Sequence, residues 1–514
     1  MTPKKILYFI LSVFFILLLI SIIFPEDGIK ISDNIKLDFI SVEDIFNPAK
    51  QEKVDITNIL EKTNIEEEVD SSAFEIIQEK NKFDSVMVDS HYVYYEPVPI
   101  RIDSVVRYIE FPNKSRSSLN RFFEILANIK NENKIVRIMH YGDSQIETDR
   151  ISDYFRYKLQ TQFGGVGGGL VPAIKAYDFQ TPMTQSYSGN WKRYTVYGRK
   201  DTTVKHRKYG MLGNFARFTP IINADTSILQ KDSSNFINNE ALMPHKIKNY
   251  ASLTFSQSRY SFKPTKNYKR CKMFYGNAKS EVKVKVFADE VQVAEDVLKP
   301  TDDYSYKTWT FAQAPKDLKF EFEAEESPDF YGFSLEGYSG INVDNIAMRG
   351  SGGLFFTSMD LNMLSRMYSQ LNTKLIILQF GGNIVPGERK KYGWYRKSFS
   401  RQISTLKRIA PDATIMVIGL ADMSKKENEV YVSYPNITLI RDALKQASFE
   451  NDCAYWDMYE AMGGENSMPS WVFHEPPLGE KDFTHFTPQG ARYIAKMFYN
   501  AFMYEYNRYL RRRK

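Results

Sequence analysis

The first apolar segment of the chain runs for nineteen residues, from Ile6 to Phe24, and carries no charged side chain. A helix rises about 1.5 Å per residue, so this segment is just long enough to cross a hydrocarbon core of about 30 Å. Lys4 and Lys5 precede it, and basic residues on the short side of a membrane helix favour the cytoplasm. A cleavable signal peptide is the alternative, but the apolar segment is long for one and no small-residue cleavage site follows it. We predict an uncleaved, single-pass transmembrane helix within residues 1–24, with the rest of the chain in the periplasm or otherwise outside the cytoplasmic membrane.

Residues 25–112 have a different pattern, in which polar and acidic side chains dominate and apolar patches are short. The clearest feature is the acidic run at 66–70. This composition predicts a polar stalk between the membrane helix and a folded domain. The alternating stretch 92–102 predicts that part of the stalk packs on that domain. We assign no chemistry to this segment.

Helix and strand patterns alternate in two later stretches of the chain, 113–184 and 337–510. The periodicity of apolar residues predicts, in order, helix 117–129, strand 135–139, helix 149–163, strand 341–347, helix 360–371, strand 375–380, helix 395–409, strand 414–418, helix 437–449, strand 454–458 and a long helix from 488. Strands that alternate with helices form a parallel sheet with helices on both faces. The two stretches are therefore predicted to be two parts of one α/β domain.

The residues between them, 185–336, show short alternating segments separated by turn residues, such as 282–288 and 319–324. No amphipathic helix pattern interrupts these segments. Short strands at regular spacing are typical of a β-sandwich or jelly roll. We predict an all-β domain of this type, inserted between the two parts of the α/β domain.

Length and composition narrow the class of protein. A chain of 514 residues exceeds the usual size of one domain, and an apolar content of 43% provides for a folded core. The 68 basic and 62 acidic residues nearly balance, and part of the net charge of +6 lies in the last four residues. Nucleic acid is therefore not an expected partner. Cys271 and Cys453 fall in different predicted domains, which argues against a disulfide framework, and their spacing matches no zinc site.

Ser144 follows the first strand of the α/β domain, where the chain turns into the next helix. A serine hydroxyl is a weak nucleophile, which needs a base within hydrogen-bond reach and a third group that orients the base. His485 precedes the last helix, and Asp482 stands three residues before it. On a turn, this spacing lets the carboxylate reach Nδ1 of the imidazole while Nε2 faces the serine. We predict that the three residues form a catalytic triad.

Acyl transfer also requires hydrogen-bond donors for the oxyanion of the tetrahedral intermediate. The candidates are the backbone N–H of Ser144, the backbone N–H of Gly350 and the side-chain amide of Asn383. Ser144 and Asn383 both follow strand ends, and ligands of open α/β sheets gather at the carboxyl ends of the strands. This chemistry requires neither a cofactor nor a metal ion.

Other motifs have simpler interpretations. The glycine-rich stretch 164–169 lacks the Lys-Ser/Thr pair of a phosphate loop, so we predict a flexible loop that flanks the substrate. His474 lacks the second histidine of a metalloprotease helix, and no metal site is predicted. His140 lies on a strand and is expected to be a packed structural residue. Trp191 and Trp309 are expected in the core, with stacking on sugars as the alternative.

The residues assigned to catalysis resemble the four sequence blocks of the SGNH/GDSL hydrolases. The matching segments, in chain order, are Gly142-Asp143-Ser144 for block one, Gly350 for block two, Gly381-Gly382-Asn383 for block three and Asp482-x-x-His485 for block five. Their order and spread match across roughly residues 134–505. The resemblance implies an SGNH-type, flavodoxin-like fold, with the triad and the oxyanion hole named above. Gln145, Arg349 and Ile384 depart from the residues that are common at their positions.

Block one and the glycine-rich stretch after it look like the peptidoglycan O-acetylesterase branch of this superfamily. Members of that branch carry a carbohydrate-module-like β domain inserted after block one, and the β insertion predicted at 185–336 falls at that place. The resemblance implies a serine esterase that removes O-acetyl groups from an envelope polysaccharide such as peptidoglycan, through an acyl-enzyme on Ser144. One alternative is an O-acyltransferase that works with a membrane-bound acyltransferase partner. Another is a glycan-binding envelope protein with an inactive site.

Overall fold

The computed structural model describes residues 2–24, 29–32, 35–37, 51–63, 104–114, 116–131, 133–175, 182–199, 201–219 and 248–513. The acidic run at 66–70 and the alternating stretch 92–102 lie outside the described residues. The prediction that 92–102 packs on the folded domain is therefore left as it stands.

Among the described residues, the N-terminal helix and the longer helices of the α/β domain lie where they were predicted, whereas four helices of four to seven residues were not predicted. In chain order the helices are α1 (Pro3–Ile23), α2 (Thr57–Thr63), α3 (Asn120–Ala127), α4 (Ser152–Phe163), α5 (Lys263–Lys266), α6 (Leu361–Gln370), α7 (Gly393–Ile409), α8 (Ile437–Glu450), α9 (Met458–Ala461), α10 (Ser467–Val472) and α11 (Pro488–Arg513). Local chemistry sets several of the starts. Asp360 caps α6, since its carboxylate accepts the backbone N–H of Met363 at 2.9 Å. Pro488 opens α11, at a position where a missing N–H costs nothing.

The strands fall into one parallel sheet, a β-sandwich and two short hairpins. In chain order they are β1 (Ile29–Ser32), β2 (Ile35–Leu37), β3 (Ile135–Gly142), β4 (Gly169–Val171), β5 (Met183–Tyr187), β6 (Trp191–Thr195), β7 (Asn214–Phe218), β8 (Asn249–Gln257), β9 (Arg270–Ala278), β10 (Val282–Ala288), β11 (Val291–Leu298), β12 (Thr301–Thr310), β13 (Asp317–Ala324), β14 (Asp329–Glu336), β15 (Gly340–Ala347), β16 (Thr373–Gln379), β17 (Thr414–Ile418), β18 (Ser424–Glu427), β19 (Val430–Ser433) and β20 (Ala454–Trp456).

The parallel sheet has the strand order β15-β3-β16-β17-β20, and every neighbouring pair is parallel. Its strands are apolar and buried on both faces, as a sheet covered by helices requires. One core, on one face of the sheet, takes in α3, α4 and α11. A second core, on the other face, takes in α6, α7 and α8. The predicted α/β class with helices on both faces is confirmed.

The inserted part is a sandwich of two antiparallel sheets, with orders β11-β10-β13-β8-β5 and β12-β9-β14-β7-β6. Rings from both sheets interlock between them. The ring of Phe333 lies 4.9 Å from that of Phe255 and 5.1 Å from that of Phe320. The predicted all-β insertion is confirmed, although its strands begin before residue 185. β4 pairs with β14 and β5 pairs with β8, so both belong to the sandwich.

Buried ion pairs connect the sandwich with the parallel sheet. Arg137 of β3 pairs with Asp344 of β15 at 2.6 Å and also with Glu336 of β14. Glu336 in turn pairs with Arg270 of β9 at 2.8 Å. Because Arg137, Glu336 and Asp344 are at most 1% exposed, losing one partner would leave a charge buried without compensation. The network therefore fixes how the sandwich sits on the sheet.

The prediction of a polar stalk over 25–112 is wrong for two described parts of that segment. Ile56, Val105, Ile109 and Phe111 are buried in the core beside α11. Residues near 110 also extend the parallel sheet, because the backbone of Glu110 pairs with Tyr455 of β20. The physical reason is that burying apolar side chains lowers the free energy of the folded protein, whereas an extended stalk would leave them exposed to water.

The glycine-rich stretch 164–169 does not flank the site as a flexible loop. It packs directly against backbone of the strands beside it. A Cβ on Gly165 would lie 2.2 Å from the carbonyl oxygen of Ile341, and one on Gly167 would lie 2.3 Å from that of Leu335. Both glycines also have positive φ angles, 114° and 97°. The glycines are thus required for close packing between the two domains.

The N-terminal helix α1 is long and apolar enough to cross a membrane, by its length and composition. Its most apolar 18-residue segment has a mean hydropathy of 3.1. Helices of signal sequences satisfy the same criterion. The structure therefore supports an apolar N-terminal helix of spanning length.

Candidate active site

Three adjoining turns carry the residues that sequence analysis assigned to catalysis. Ser144 opens a short 3-10 helix, Ser144–Asp149, directly after β3. Asn383 lies in another, Gly382–Gly387, directly after the neighbouring strand β16. Asp482 and His485 lie in the loop that precedes α11. The carboxyl edge of the sheet therefore brings together segments that are far apart in sequence.

A continuous hydrogen-bond chain joins Ser144, His485 and Asp482. Oγ of Ser144 lies 2.8 Å from Nε2 of His485, and Nδ1 of His485 lies 2.6 Å from Oδ2 of Asp482. A carboxylate only accepts hydrogen bonds, so Nδ1 carries the hydrogen and Nε2 is left to accept from the serine hydroxyl. This is the arrangement that a general base next to a nucleophile requires.

The loop that carries the histidine is organised around the carboxylate of Asp482. Its Oδ1 accepts the backbone N–H of Thr484 at 2.9 Å and that of His485 at 3.0 Å. Partial burial raises the pKa of Asp482, but the hydrogen bonds from the side chain and backbone of His485 outweigh it and lower the pKa to about 2. The carboxylate therefore stays ionised at any pH at which the protein is expected to work.

Asp143 connects the nucleophile turn with the turn of Asn383. Its carboxylate accepts the backbone N–H of Gln145 at 3.0 Å and also that of Gly382. The side chain is 5% exposed, and this burial raises its pKa to about 6, against the lowering effect of both hydrogen bonds and of His485. The buried carboxylate of Asp143 thus holds the two turns together through backbone hydrogen bonds.

Gln145, which departs from the residues common at its position, connects the nucleophile turn with the histidine loop. Its Nε2–H donates to the carbonyl oxygen of Thr484 at 2.9 Å, and its Oε1 accepts the backbone N–H of Phe486 at 3.3 Å. These two backbone groups flank His485 on either side. Sequence analysis missed this role, because nothing near Gln145 in the chain marks its partners.

Of the three candidate donors to the oxyanion, Ser144 and Asn383 line the cavity at the triad, and Gly350 does not. Ser144 is the first residue of its helical turn, where backbone N–H groups lack a partner within the helix. Nδ2 of Asn383 donates to the carbonyl oxygen of Ser351 at 3.2 Å, which leaves its second hydrogen for a ligand. Gly350 is exposed in the turn after β15 and does not belong to the wall of the cavity described next.

A cavity of about 270 Å³ opens at the triad. Ser144, His485 and Asn383 form part of its wall. The rest is mostly apolar and comes from several separate elements: Phe380, Pro386, Leu420, Ala421, Met423 and Met458. Sequence analysis missed these wall residues, since they look like ordinary core positions. A small apolar wall beside a nucleophile favours a small acyl group.

His140, Trp191 and Trp309, which sequence analysis also considered, do not line the cavity at the triad. His140 is buried in β3, with Nδ1 2.9 Å from Oγ of Ser152 and Nε2 3.0 Å from Oε1 of Gln379. Burial lowers its pKa to about 4, so it is a neutral structural residue. Trp191 and Trp309 are 9% and 6% exposed, in the core of the sandwich. Among the described residues, no group of three or more His, Cys, Asp or Glu side chains is arranged to hold a metal ion.

Comparison with known proteins identifies the fold but no close relative. No family model matches the sequence, and no curated protein matches it. A solved peptidoglycan O-acetylesterase matches with 17% identity and a TM-score of 0.56, over 76% of this chain and 97% of the other.

Two further structures match with TM-scores too low for a comparison of folds. A family two carbohydrate esterase from Cellvibrio japonicus has 10% identity and a TM-score of 0.18, over 41% of this chain and 82% of the other. A GDSL-like lipase from Bacteroides ovatus has 10% identity and a TM-score of 0.20, over 62% and 96%. Taken with the parallel sheet, the inserted sandwich and the three turns at the sheet edge, the first match shows that this chain shares the fold of the solved peptidoglycan O-acetylesterase.

Proposed function

We propose that the protein is a serine esterase that removes O-acetyl groups from an envelope polysaccharide such as peptidoglycan. The observation that carries the proposal is the hydrogen-bond chain from Ser144 through His485 to Asp482, at the mouth of a small cavity. The fold shared with a peptidoglycan O-acetylesterase supports the same class of reaction.

The proposed reaction has two steps. In the first, Oγ of Ser144 attacks the carbonyl carbon of the acetyl ester while Nε2 of His485 takes the hydroxyl proton. The backbone N–H of Ser144 and the amide of Asn383 donate to the oxyanion, and the backbone N–H of Gly350 is kept as a third proposed donor. The C–O bond to the sugar then breaks, and His485 returns the proton to the sugar oxygen. The product of this step is acetyl-Ser144.

In the second step, His485 takes a proton from a water molecule, which attacks the acetyl carbonyl. The tetrahedral intermediate collapses, the bond to Ser144 breaks, and the serine oxygen recovers the proton. Acetate is released. Asp482 stays ionised throughout and stabilises the imidazolium that forms in each step.

The apolar helix α1 supports a location at the membrane. We propose that it anchors the protein in a single pass, with Lys4 and Lys5 on the cytoplasmic side and the α/β domain outside. An enzyme held there would meet polysaccharide of the envelope rather than cytoplasmic esters.

The test is acetate release by the full chain in detergent, from O-acetylated peptidoglycan and from a small acetyl ester. We expect turnover of both by the wild type and none by Ser144→Ala or His485→Ala. The double variant should lose little more than either single one, because triad members act as a unit. Acetyl transfer to an added glycan in place of water would make the protein an acyltransferase. Undiminished turnover by Ser144→Ala would contradict the proposal.

A further inference from the structure

The turn that carries Asn383 continues directly into a basic and aromatic loop, residues 386–394. Pro386, at its start, lines the same cavity as Ser144. Arg389, Lys390 and Lys391 follow and are exposed. The loop ends at Trp394, in the first turn of α7. The loop that starts at the cavity wall therefore carries three exposed cations, and we call residues 386–394 the basic loop.

The basic loop has a fixed base. The hydroxyl of Tyr392 accepts the backbone N–H of Arg389 at 2.9 Å and the side-chain Nδ2–H of Asn436 at 2.5 Å. Asn436 also donates to the carbonyl oxygen of Val385 at 2.7 Å. Tyr392 and Asn436 are 4% and 3% exposed, so both ends of the loop are tied to the buried side of the domain. The exposed side chains project from an ordered turn.

No ion pair among the described residues neutralises the charge on the basic loop. In the part of the chain that the structure describes, Arg389, Lys390 and Lys391 have no carboxylate within the 4.0 Å of an ion pair. The neighbouring Glu388 pairs with Lys425 at 2.8 Å instead. Unpaired cations beside a cavity attract anions to that cavity.

Trp394 adds an aromatic surface to these charges. It is 39% exposed, whereas the other four tryptophans are at most 9% exposed. The guanidinium of Arg389 lies 5.1 Å from the centre of its ring, a cation–π contact that places the guanidinium over one face of the indole. An exposed tryptophan is a large, rigid surface for the apolar face of a sugar ring.

We propose that the basic loop is a subsite for acidic sugars, so that the preferred substrate is an O-acetylated glycan that carries carboxylates. A sugar ring would lie on Trp394, and Arg389, Lys390 and Lys391 would bind carboxylates on that sugar and its neighbours. The site favours a glycan over a lipid surface, because the loop begins at Pro386 in the wall of the cavity that contains Ser144. This inference rests on the proposed esterase function.

Binding is measured first, on full-length Ser144→Ala protein in detergent, by calorimetric titration with oligogalacturonate and with a neutral xylo-oligosaccharide. Oligogalacturonate should bind, and more weakly as salt is added. We expect Kd to rise at least tenfold in Arg389→Ala/Lys390→Ala/Lys391→Ala and in Trp394→Ala. The matched control is Lys283→Ala/Lys285→Ala/Lys316→Ala, which removes three exposed charges from the sandwich and should leave Kd unchanged.

Catalysis provides a second readout. For an O-acetylated acidic glycan, kcat/KM should fall at least tenfold more in the loop variants than it falls for a small neutral ester, mainly through KM. Equal loss of binding in the loop and control variants would mean unspecific attraction and would overturn the proposal. Binding of anionic lipid vesicles but not of oligogalacturonate would overturn it in favour of a membrane contact. The titration needs no turnover, so it separates failure of the subsite from failure of the esterase function.

Discussion

At the scale of single residues, the amide of Asn383 serves two purposes that an experiment can separate. One hydrogen on its Nδ2 bonds to Ser351 and keeps the two turns together. Asn383 also lines the cavity that contains Ser144, where its second hydrogen can donate to an oxyanion. In the first role Asn383 contributes to stability, and in the second it contributes only when an oxyanion forms.

We predict that Asn383→Ala lowers kcat by roughly 100- to 1000-fold with a small change in KM, because it removes a donor that acts in the transition state. Melting temperature and kcat should be measured on one preparation. If Asn383 only held the loop, the variant would instead lose about 1 kcal/mol of stability and keep nearly normal turnover. That result would remove Asn383 from the oxyanion hole.

The buried carboxyl of Asp143 predicts a pH dependence of stability. Burial raises its pKa from the ordinary 3.8 to about 6. Between these two pH values, the folded protein holds the proton more often than the unfolded chain does. The contribution of Asp143 to the free energy of unfolding therefore decreases as the pH rises from about 4 to about 6.

Asp143→Asn removes this contribution, while the amide oxygen can still accept the N–H of Gln145. Relative to the wild type, the variant should gain stability between pH 4 and pH 7, by at most about 3 kcal/mol. Chemical denaturation of both proteins at the two pH values measures this difference. A difference that stays constant, or that shrinks at the higher pH, would show that Asp143 is not held with a raised pKa.

At the scale of elements, the loop that carries Asp482 and His485 packs against the hairpin β18–β19. Gln51, in the N-terminal part of the chain, supports that hairpin in turn. Phe483 has a φ of 52°, which is unfavourable for a bulky side chain and persists only where its surroundings enforce it. Its ring stacks on that of Tyr431 in β19, with 3.4 Å between centres and 7° between planes. Gln51 bonds to both backbone groups of Tyr431, each at 2.8 Å. A segment predicted as stalk thus supports the loop of His485.

We predict that Tyr431→Ala lowers kcat on a small ester about tenfold, because the histidine loop loses the ring that holds Phe483 in place. Tyr431→Phe keeps the ring and should restore activity. Val432→Ala, on the opposite face of the same strand, is the matched control and should behave as the wild type. Equal losses in the Ala variants of both positions would point to general destabilisation of the hairpin rather than to positioning of His485.

At the scale of the whole molecule, the elements of the α/β domain were predictable because each one has its own local pattern. A buried strand such as β17 is an uninterrupted apolar run, and α8 shows helical periodicity, so both were found within a residue of their bounds. The predicted triad residues stood out because of the residues next to them in sequence: Gly142-Asp143 precedes Ser144, and Asp482 stands three residues before His485. Their roles stay a proposal, although the geometry supports them.

What the sequence did not reveal depends on contacts between distant segments. Gln145 and Thr484 are 339 positions apart, and no local pattern links them. The cavity wall combines residues such as Leu420 and Met458 that look like core residues in isolation. The same holds for Ile56, which lies in a mostly polar segment and becomes part of the core only once α11 is in place.

The apolar helix α1 and the two lysines at its start predict the topology of the protein. The full chain should sediment with membranes, and protease added to spheroplasts should degrade the α/β domain. Deletion of residues 2–24 should release the protein in soluble form. Mature wild-type protein that begins beyond residue 24 and is soluble would show that the helix is a cleaved signal sequence instead of an anchor.

The central claim is that Ser144 is a nucleophile activated by His485, and a fluorophosphonate tests it most directly. Such a probe reacts covalently with an activated serine and needs no knowledge of the natural substrate. After incubation of the full chain, intact mass and peptide mapping should show one adduct, on Ser144. The adduct should be absent from Ser144→Ala and strongly reduced in His485→Ala. An unlabelled Ser144 in folded wild-type protein, or equal labelling of wild type and His485→Ala, would contradict the account.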